Sequence, residues 1–458
     1  MASTLSHNGV DHIAKASTLI RQLVNENDPK YGFGSMTCSI YDTAWVSMVA
    51  KTTNGQTRWL FQSSFQYLLN HQKHDGGWQN DTFDNDGILN SLAALLALCK
   101  HIRQPYQIEG DLEDLKHRKS RAIYFLETKF SSWTVDSTVT RSTLQPLIAK
   151  LLQMLEWEGL QFSFAGRELF LDERGRGNTN CNDCTTCGDL KTAATGLSEG
   201  RAGEIDIDRV GQHKILGSIM ASPASTAAYL MDCSTWDDEA EAYLIHIVSL
   251  GGSQSGGVPT KFPTTIFEMT GAITVLLANG FSLKDLGSKS LETAATYLED
   301  RLQLQSGVTE FARYVEANAD NTAKTISALC LLGQAISPHS LNVRYEAPQY
   351  LKTCTQERIV NFSTNCHILK ALLDLLPGDS EQMSQIETTV RFLCNCWWTT
   401  NGMIEDQLVC RIVHLDLTEL TYRSRTHPQI TPLCSWWRHL CNCSSSGRKV
   451  VYRYWMIE

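Results

Sequence analysis

Gln72-Lys73-His74-Asp75-Gly76-Gly77-Trp78 is the stretch on which the reading of this chain turns. It fits a Gln-x-x-x-Gly-x-Trp pattern, in which a helix ends at glycine and an indole packs back on the glutamine side chain. Nothing in the heptad offers activated chemistry beyond an exposed Asp and His, so its expected work is to staple adjacent helices. Just downstream, Leu89, Leu92, Leu95, Leu96 and Cys99 recur at the three-and-four spacing of one apolar helical face. Ile326, Leu329, Cys330 and Gly333 repeat that spacing. Short breakers such as Gly251-Gly252, Gly256-Gly257-Val258-Pro259 and Asn401-Gly402 separate such segments, and alternating β-branched runs are scarce. The expectation is an all-α protein of helices joined by glycine turns.

A chain of 458 residues with 42% hydrophobic content can bury a large core, and its length suggests two or three domains. The net charge of −9 gives no reason to expect nucleic acid as a partner, while a small anionic substrate is compatible with it. Met1 to Asp11 lack a basic or apolar targeting pattern and no later stretch has the length of a membrane span, so a soluble, cytoplasmic protein without a transmembrane segment is expected. The 15 cysteines are odd in number and follow no framework spacing; most are expected to be buried thiols. Two stretches break the helical texture. Gly175 to Gly203 reads as a loop insertion, and Gln407 to Glu458, with seven Lys+Arg against three Asp+Glu, reads as a divergent tail or an altered reading frame.

Together with the glutamine heptad, Ser39-Ile-Tyr-Asp-Thr-Ala-Trp45, Trp59-Leu-Phe61, Met220-Ala-Ser-Pro-Ala-Ser-Thr-Ala-Ala-Tyr-Leu230, Trp236-Asp-Asp-Glu-Ala-Glu-Ala-Tyr243 and Gly257-Val-Pro-Thr-Lys-Phe-Pro-Thr-Thr-Ile-Phe267 resemble, in order, the fungal-type copalyl diphosphate synthases. The resemblance runs from about Tyr31 to Asp406. It implies a pair of α-helical barrels, the family's β and γ domains, with the active site in a cleft between them and no class I α domain. On that pattern, residues 1–70 join the β-type barrel, 71–290 form the γ-type barrel with the insertion at 175–203, 291–406 form the β-type barrel, and 407–458 are the tail. The implied activity is class II terpene cyclisation: the terminal alkene of a linear polyprenyl substrate such as geranylgeranyl diphosphate is protonated, and two rings close to a labdane or copalyl-type product with the diphosphate intact.

The family's proton donor lies in an Asp-x-Asp-Asp run. Here the matching run is Asn318-Ala319-Asp320-Asn321, so only the central acid is kept. An alkene is a very weak base and takes a proton only from a neutral carboxylic acid in a dry pocket. Neighbouring carboxylates hold such an acid protonated by like-charge repulsion, and Asn318 and Asn321 remove that push. Burial must then supply the shift, or the substrate must be easier to protonate, as an epoxidised prenyl chain is. The segment Ser363-Thr-Asn-Cys-His367-Ile-Leu-Lys-Ala-Leu372 resembles the helix whose polar residue touches the donor, which puts His367 beside Asp320. Read without the resemblance, Asn318, Asp320 and Asn321 form a helix-capping cluster whose oxygens accept backbone N–H bonds.

Other groups carry less. Asp237-Asp238-Glu239-Ala240-Glu241 has the look of a diphosphate-ionising Asp-rich motif but sits inside a γ-barrel string, which makes it a decoy. Cys181, Cys184 and Cys187 have thiolate-ligand spacing without an evident fourth ligand. The resemblance implies Mg²⁺ as cofactor for a diphosphate substrate, with Glu199 or Lys214 assisting at the γ-barrel edge. Gly271 stands where relatives place Trp, which enlarges or reshapes the pocket and removes an aromatic face for a passing cation. Partners implied are the prenyl substrate and a prenyltransferase or other enzyme of the same pathway. The departures together also suit a non-catalytic or decayed cyclase homologue.

Overall fold

A computed structural model of the chain describes residues 7–78, 84–107, 111–133, 144–172, 206–250, 256–313, 315–347, 349–354, 361–375 and 380–399. Helices dominate, as expected, and among the described residues the strands amount to two short antiparallel pairs, Cys38–Ser39 with Val258–Pro259 and Ala50–Thr53 with Gln56–Trp59. No helix among the described residues is long and apolar enough to cross a membrane. None of the described cysteines is in a disulfide. The insertion at 175–203, with Cys181, Cys184, Cys187 and Glu199, and the tail at 407–458 lie outside the described residues.

The chain forms two compact units. One spans residues 28–264, and the other combines the described residues up to Asn27 with those from Thr265 onward. The boundaries therefore fall at 27/28 and 264/265, away from the 70/71 and 290/291 expected. Packing explains the difference. Trp45, Phe61 and Phe65 share one apolar core with Trp78 and the Ile88–Cys99 face, which draws residues 28–70 into the first unit. The helix Thr265–Ala278 lies against Ala319–Leu331 and against the N-terminal helix His7–Asn25, which places it in the second.

In the unit of residues 28–264 the glutamine heptad forms a turn between the helices Gln62–His71 and Asp84–Arg103. The Trp78 indole N–H donates to the Leu68 carbonyl at 2.8 Å, and the Trp78 backbone N–H to Ser91 Oγ at 3.0 Å, tying those two helices. The Gln72 amide donates to the carbonyls of Gly76 (2.9 Å) and Arg118 (3.0 Å), the latter on the helix Leu112–Ser132. The staple thus joins three helices, through main-chain carbonyls on two of them and the Ser91 hydroxyl on the third. Gly76 is required: its φ is +94°, and a Cβ there would lie 2.4 Å from the Arg121 carbonyl oxygen.

The second unit is organised by the loop between the helices Ser288–Leu304 and Ala319–Leu331. Ile326 and Leu329 of the latter are fully buried, and each contributes about 2 kcal/mol of apolar burial. Within the loop, three consecutive residues grip three helices. Thr309 bonds the side chains of Thr322 and Thr325, both at 2.9 Å. Glu310, 0% exposed, takes the Arg301 guanidinium of Ser288–Leu304. The Phe311 carbonyl accepts the N–H groups of Ile266 and Phe267 at the start of Thr265–Ala278, both at 3.1 Å.

Candidate active site

Asn318 has extended backbone (φ −137°, ψ 161°), and its Oδ1 accepts the Asn321 backbone N–H at 2.8 Å and the Asn321 side-chain N–H at 3.0 Å. This is helix capping, and the amide does all of it. Asn318 and Asn321 accordingly bond each other and do not orient the Asp320 carboxyl; the Asn321 Oδ1 is buried with no hydrogen-bond partner among the described residues. The helix start is held further by Ala319 N–H donating to the Thr353 carbonyl at 2.8 Å and Asn318 N–H to the Thr309 carbonyl at 3.1 Å.

Relieved of capping, Asp320 turns its carboxyl to other side chains. His367 Nδ1, on the helix Phe362–Asp374 that packs along Ala319–Leu331, lies 2.6 Å from Oδ1. Lys324 Nζ, one turn on, donates to Oδ2 at 2.7 Å. All three side chains are largely buried. Burial pushes the Asp320 pKa up, but the His367 hydrogen bond and the Lys324 charge more than reverse this and pull it down to about 2. Asp320 is therefore ionised at neutral pH, and with the carboxylate as acceptor, His367 Nδ1 is the donor. Burial alone therefore does not hold this acid protonated, because two donors reach the carboxyl within hydrogen-bonding distance.

Sequence reasoning finds Asp320 and His367 but passes over Lys324 and Phe267. The signal for Lys324 is its i,i+4 spacing to Asp320 on one helix. Phe267, 41% exposed on Thr265–Ala278, presents its ring 4.8 Å from Lys324 Nζ. On the same helix, a Cβ at Gly271 would meet nothing within 4 Å, so the room a larger side chain would fill is open.

The acid-rich run of the other unit is spent on structure. Asp237 Oδ1 accepts the N–H groups of Glu239 (3.0 Å) and Ala240 (3.1 Å) at the start of the helix Asp238–Leu250, while Oδ2 takes the Tyr229 hydroxyl and Lys214 Nζ, both at 2.9 Å. Lys214 also reaches Glu239 at 3.2 Å. Glu241 pairs with Lys51 and accepts the Trp236 indole N–H at 2.6 Å. Among the described residues no group of three His, Cys, Asp or Glu side chains could hold a metal ion, so these residues do not fit a Mg²⁺ site.

No model of a protein family matches the chain. Copalyl diphosphate synthase of Talaromyces verruculosus is 41% identical over 380 residues, 82% of this chain and 39% of that protein. Phyllocladan-16-alpha-ol synthase of Phomopsis amygdali is 40% identical over 399 residues, 86% of this chain and 39% of that protein. The chain thus spans 39% of the length of both curated relatives. Among solved structures, ent-copalyl diphosphate synthase from Arabidopsis thaliana superposes with a TM-score of 0.68 at 18% identity, covering 87% of this chain and 54% of that one. The ent-copalyl diphosphate synthase from Streptomyces platensis gives 0.62 at 22% identity, covering 84% and 74%. Over most of its length this chain is a homologue of the fungal copalyl diphosphate synthases and related diterpene cyclases, and it shares the helical fold of its solved structural neighbours.

Proposed function

We propose that the chain is a class II terpene cyclase that protonates a linear, geranylgeranyl diphosphate-like polyprenyl chain and closes it to a bicyclic labdane or copalyl-type product. The observation that carries this reading is the Asp320–His367 pair, held at 2.6 Å between two packed helices of a chain homologous to diterpene cyclases. In the reaction the O–H bond of the protonated Asp320 carboxyl breaks as a C–H bond forms at the alkene terminus, successive alkenes attack the cation to close two rings, and the bicyclic cation loses a proton to water, which leaves a neutral alkene and restores the proton balance. His367 fixes the orientation of the carboxyl and the oxygen that carries the proton. The Phe267 ring is an aromatic surface beside this group, with Lys324 over it. The reaction is assigned to the cytoplasm, and a linear prenyl diphosphate requires a prenyltransferase to make it, which is the partner class implied. Mg²⁺, if it accompanies the substrate, would neutralise the diphosphate's charge and would come with the substrate, not from the acidic residues described above.

A second reading rests on the pull of Lys324 and His367 on Asp320. A carboxylate cannot protonate an alkene, whereas an epoxide oxygen is a far stronger base and hydrogen-bonds to a donor before it opens. Cyclisation of an oxygenated prenyl chain, or loss of catalysis, follows if Asp320 stays ionised. Incubating the purified protein with geranylgeranyl diphosphate and Mg²⁺, with epoxidised analogues in parallel, separates these outcomes. Cyclised product is expected from the native chain and absent from Asp320→Ala; product persisting in Asp320→Ala removes Asp320 from the mechanism. If geranylgeranyl diphosphate is not turned over, gain of activity in the Asn318→Asp, Asn321→Asp double variant identifies the missing carboxylates as the cause.

A further inference from the structure

Lys324 has no role in the proton donation described above, yet it makes one of the two side-chain contacts to the Asp320 carboxyl. Its Nζ sits 2.7 Å from Oδ2 on one side and 4.8 Å from the Phe267 ring centroid on the other. It is largely buried, so its charge is less screened than that of an exposed i,i+4 pair. We propose that Lys324 is a positioning residue that decides whether Asp320 is an acid or a carboxylate, clamping the carboxyl in its ionised form and releasing it only when Nζ leaves Oδ2 for the Phe267 face. The inference rests on Asp320 being the proton donor of a cyclase for its catalytic meaning, but the clamp itself is a property of the unliganded protein.

Three features support this. The helix start gives Asp320 no structural duty that would hold it ionised, because Asn318 performs the capping. The remaining polar contact, His367, also favours the ionised carboxyl but does so through Nδ1 on Oδ1, within the pair the reaction needs, and leaves Oδ2 to Lys324 as the contact that can be released. Two cations on the elements packed against Ala319–Leu331 are engaged elsewhere: Arg301 of Ser288–Leu304 is held by Glu310, and Lys370 of Phe362–Asp374 by Asp374 at 2.7 Å, while Lys289 is a further charge on Ser288–Leu304. Glu268 on Thr265–Ala278 and Arg344 on His339–Tyr345 are further charges on those neighbours. The Phe267 ring already faces Nζ as a second seat for an ammonium, so withdrawal from the carboxyl does not leave Nζ without a favourable contact.

The consequence is selective. With the clamp closed, the proton for the reaction is available only on nitrogen, and nitrogen acids transfer to an alkene too unfavourably to start cyclisation, while an oxygen-bearing chain end remains within reach. With the clamp open, Asp320 accepts a proton from solvent and becomes competent toward an alkene.

The test is to prepare Lys324→Met, Lys324→Gln and Lys324→Arg, with Asp320→Asn as the spectroscopic blank, and to follow the Asp320 carboxyl between pH 3 and 6. Carbon-13 aspartate labelling with NMR, or infrared difference in the carboxylic C=O region, reads the protonation state directly, and circular dichroism at each pH confirms that the fold is retained. In the native chain Asp320 is expected to stay ionised over this range. In Lys324→Met and Lys324→Gln the carboxyl midpoint is expected to rise by at least one pH unit, tenfold in proton affinity, while Lys324→Arg stays ionised. An Asp320 midpoint that does not move in a folded Lys324→Met or Lys324→Gln overturns the proposal. Turnover of geranylgeranyl diphosphate with Mg²⁺ is measured on the same samples. A raised midpoint with raised turnover supports both the clamp and the cyclase reading; a raised midpoint with no turnover in any variant supports the clamp and counts against the cyclase.

Discussion

Asp237 and Asp320 make an instructive pair. Each stands at the start of a helix, each has a lysine within 3 Å, and each carboxyl is held below the usual carboxylate range. They differ in what else they hold. Asp237 accepts two backbone N–H groups and a tyrosine hydroxyl, so it is the helix cap and every oxygen is committed to the scaffold. At Asp320 the neighbouring Asn318 takes over the capping, and the carboxyl touches side chains of its own and a second helix. A run of acids is therefore poor evidence of chemistry, and a single acid whose capping duty is done by another residue is better evidence. The asparagines that weaken the family motif are part of what sets Asp320 loose.

The largest expected effect breaks the comparison on activity: Asp320→Asn lowers cyclisation by about 10²–10⁴-fold, the span of general acid catalysis, whereas Asp237→Ala leaves turnover within about twofold and costs about 1 kcal/mol of stability through the lost cap. Product assays and denaturant titrations of both variants check this, and inverted results would abolish the distinction. Next is the support beneath Asp320. Glu310→Ala leaves Arg301 buried without its carboxylate, and a loss of about 3–5 kcal/mol is expected in urea unfolding. Asn318→Ala should cost about 1 kcal/mol as a cap loss, while Asn318→Asp keeps the cap and raises the Asp320 midpoint by adding a like charge. The smallest effect is Asp238→Ala: its side chain is 89% exposed opposite Lys51, and stability should stay within about 0.5 kcal/mol.

The pH dependence has a definite sign. Because the folded Asp320 pKa is about 2 and lies below its unfolded value, its ion pairs stabilise the fold fully above roughly pH 4 and that contribution is lost as pH falls through about 2. An acid-unfolding curve of Lys324→Met should lack part of this arm.

Much of this molecule is legible in its amino-acid order. The glutamine heptad and the apolar faces at Leu89–Cys99 and Ile326–Leu329 report local periodicity and turn chemistry, which sequence carries directly. Asp320 is legible through its motif, and His367, forty-seven residues away, only through resemblance, since nothing local ties two such positions together. Lys324 is within reach as an i,i+4 partner but needs burial to matter, and burial is a tertiary property. The unit boundaries escape periodicity for a similar reason. Whether Phe61 and Phe65 share a core with Trp78 depends on packing across chain separations that a local pattern does not encode.

The loop of Thr309, Glu310 and Phe311 also has a dynamic consequence. Because three adjacent residues fasten the helices that carry Asp320, Phe267 and Arg301, those helices have no independent route to local opening at this point. The amides of Ile266, Phe267, Thr309 and Asn318 should exchange with deuterium as one cooperative set, at a common rate set by release of the loop. Thermal motion would then carry Asp320 and Phe267 together, so their separation is conserved even while the unit breathes.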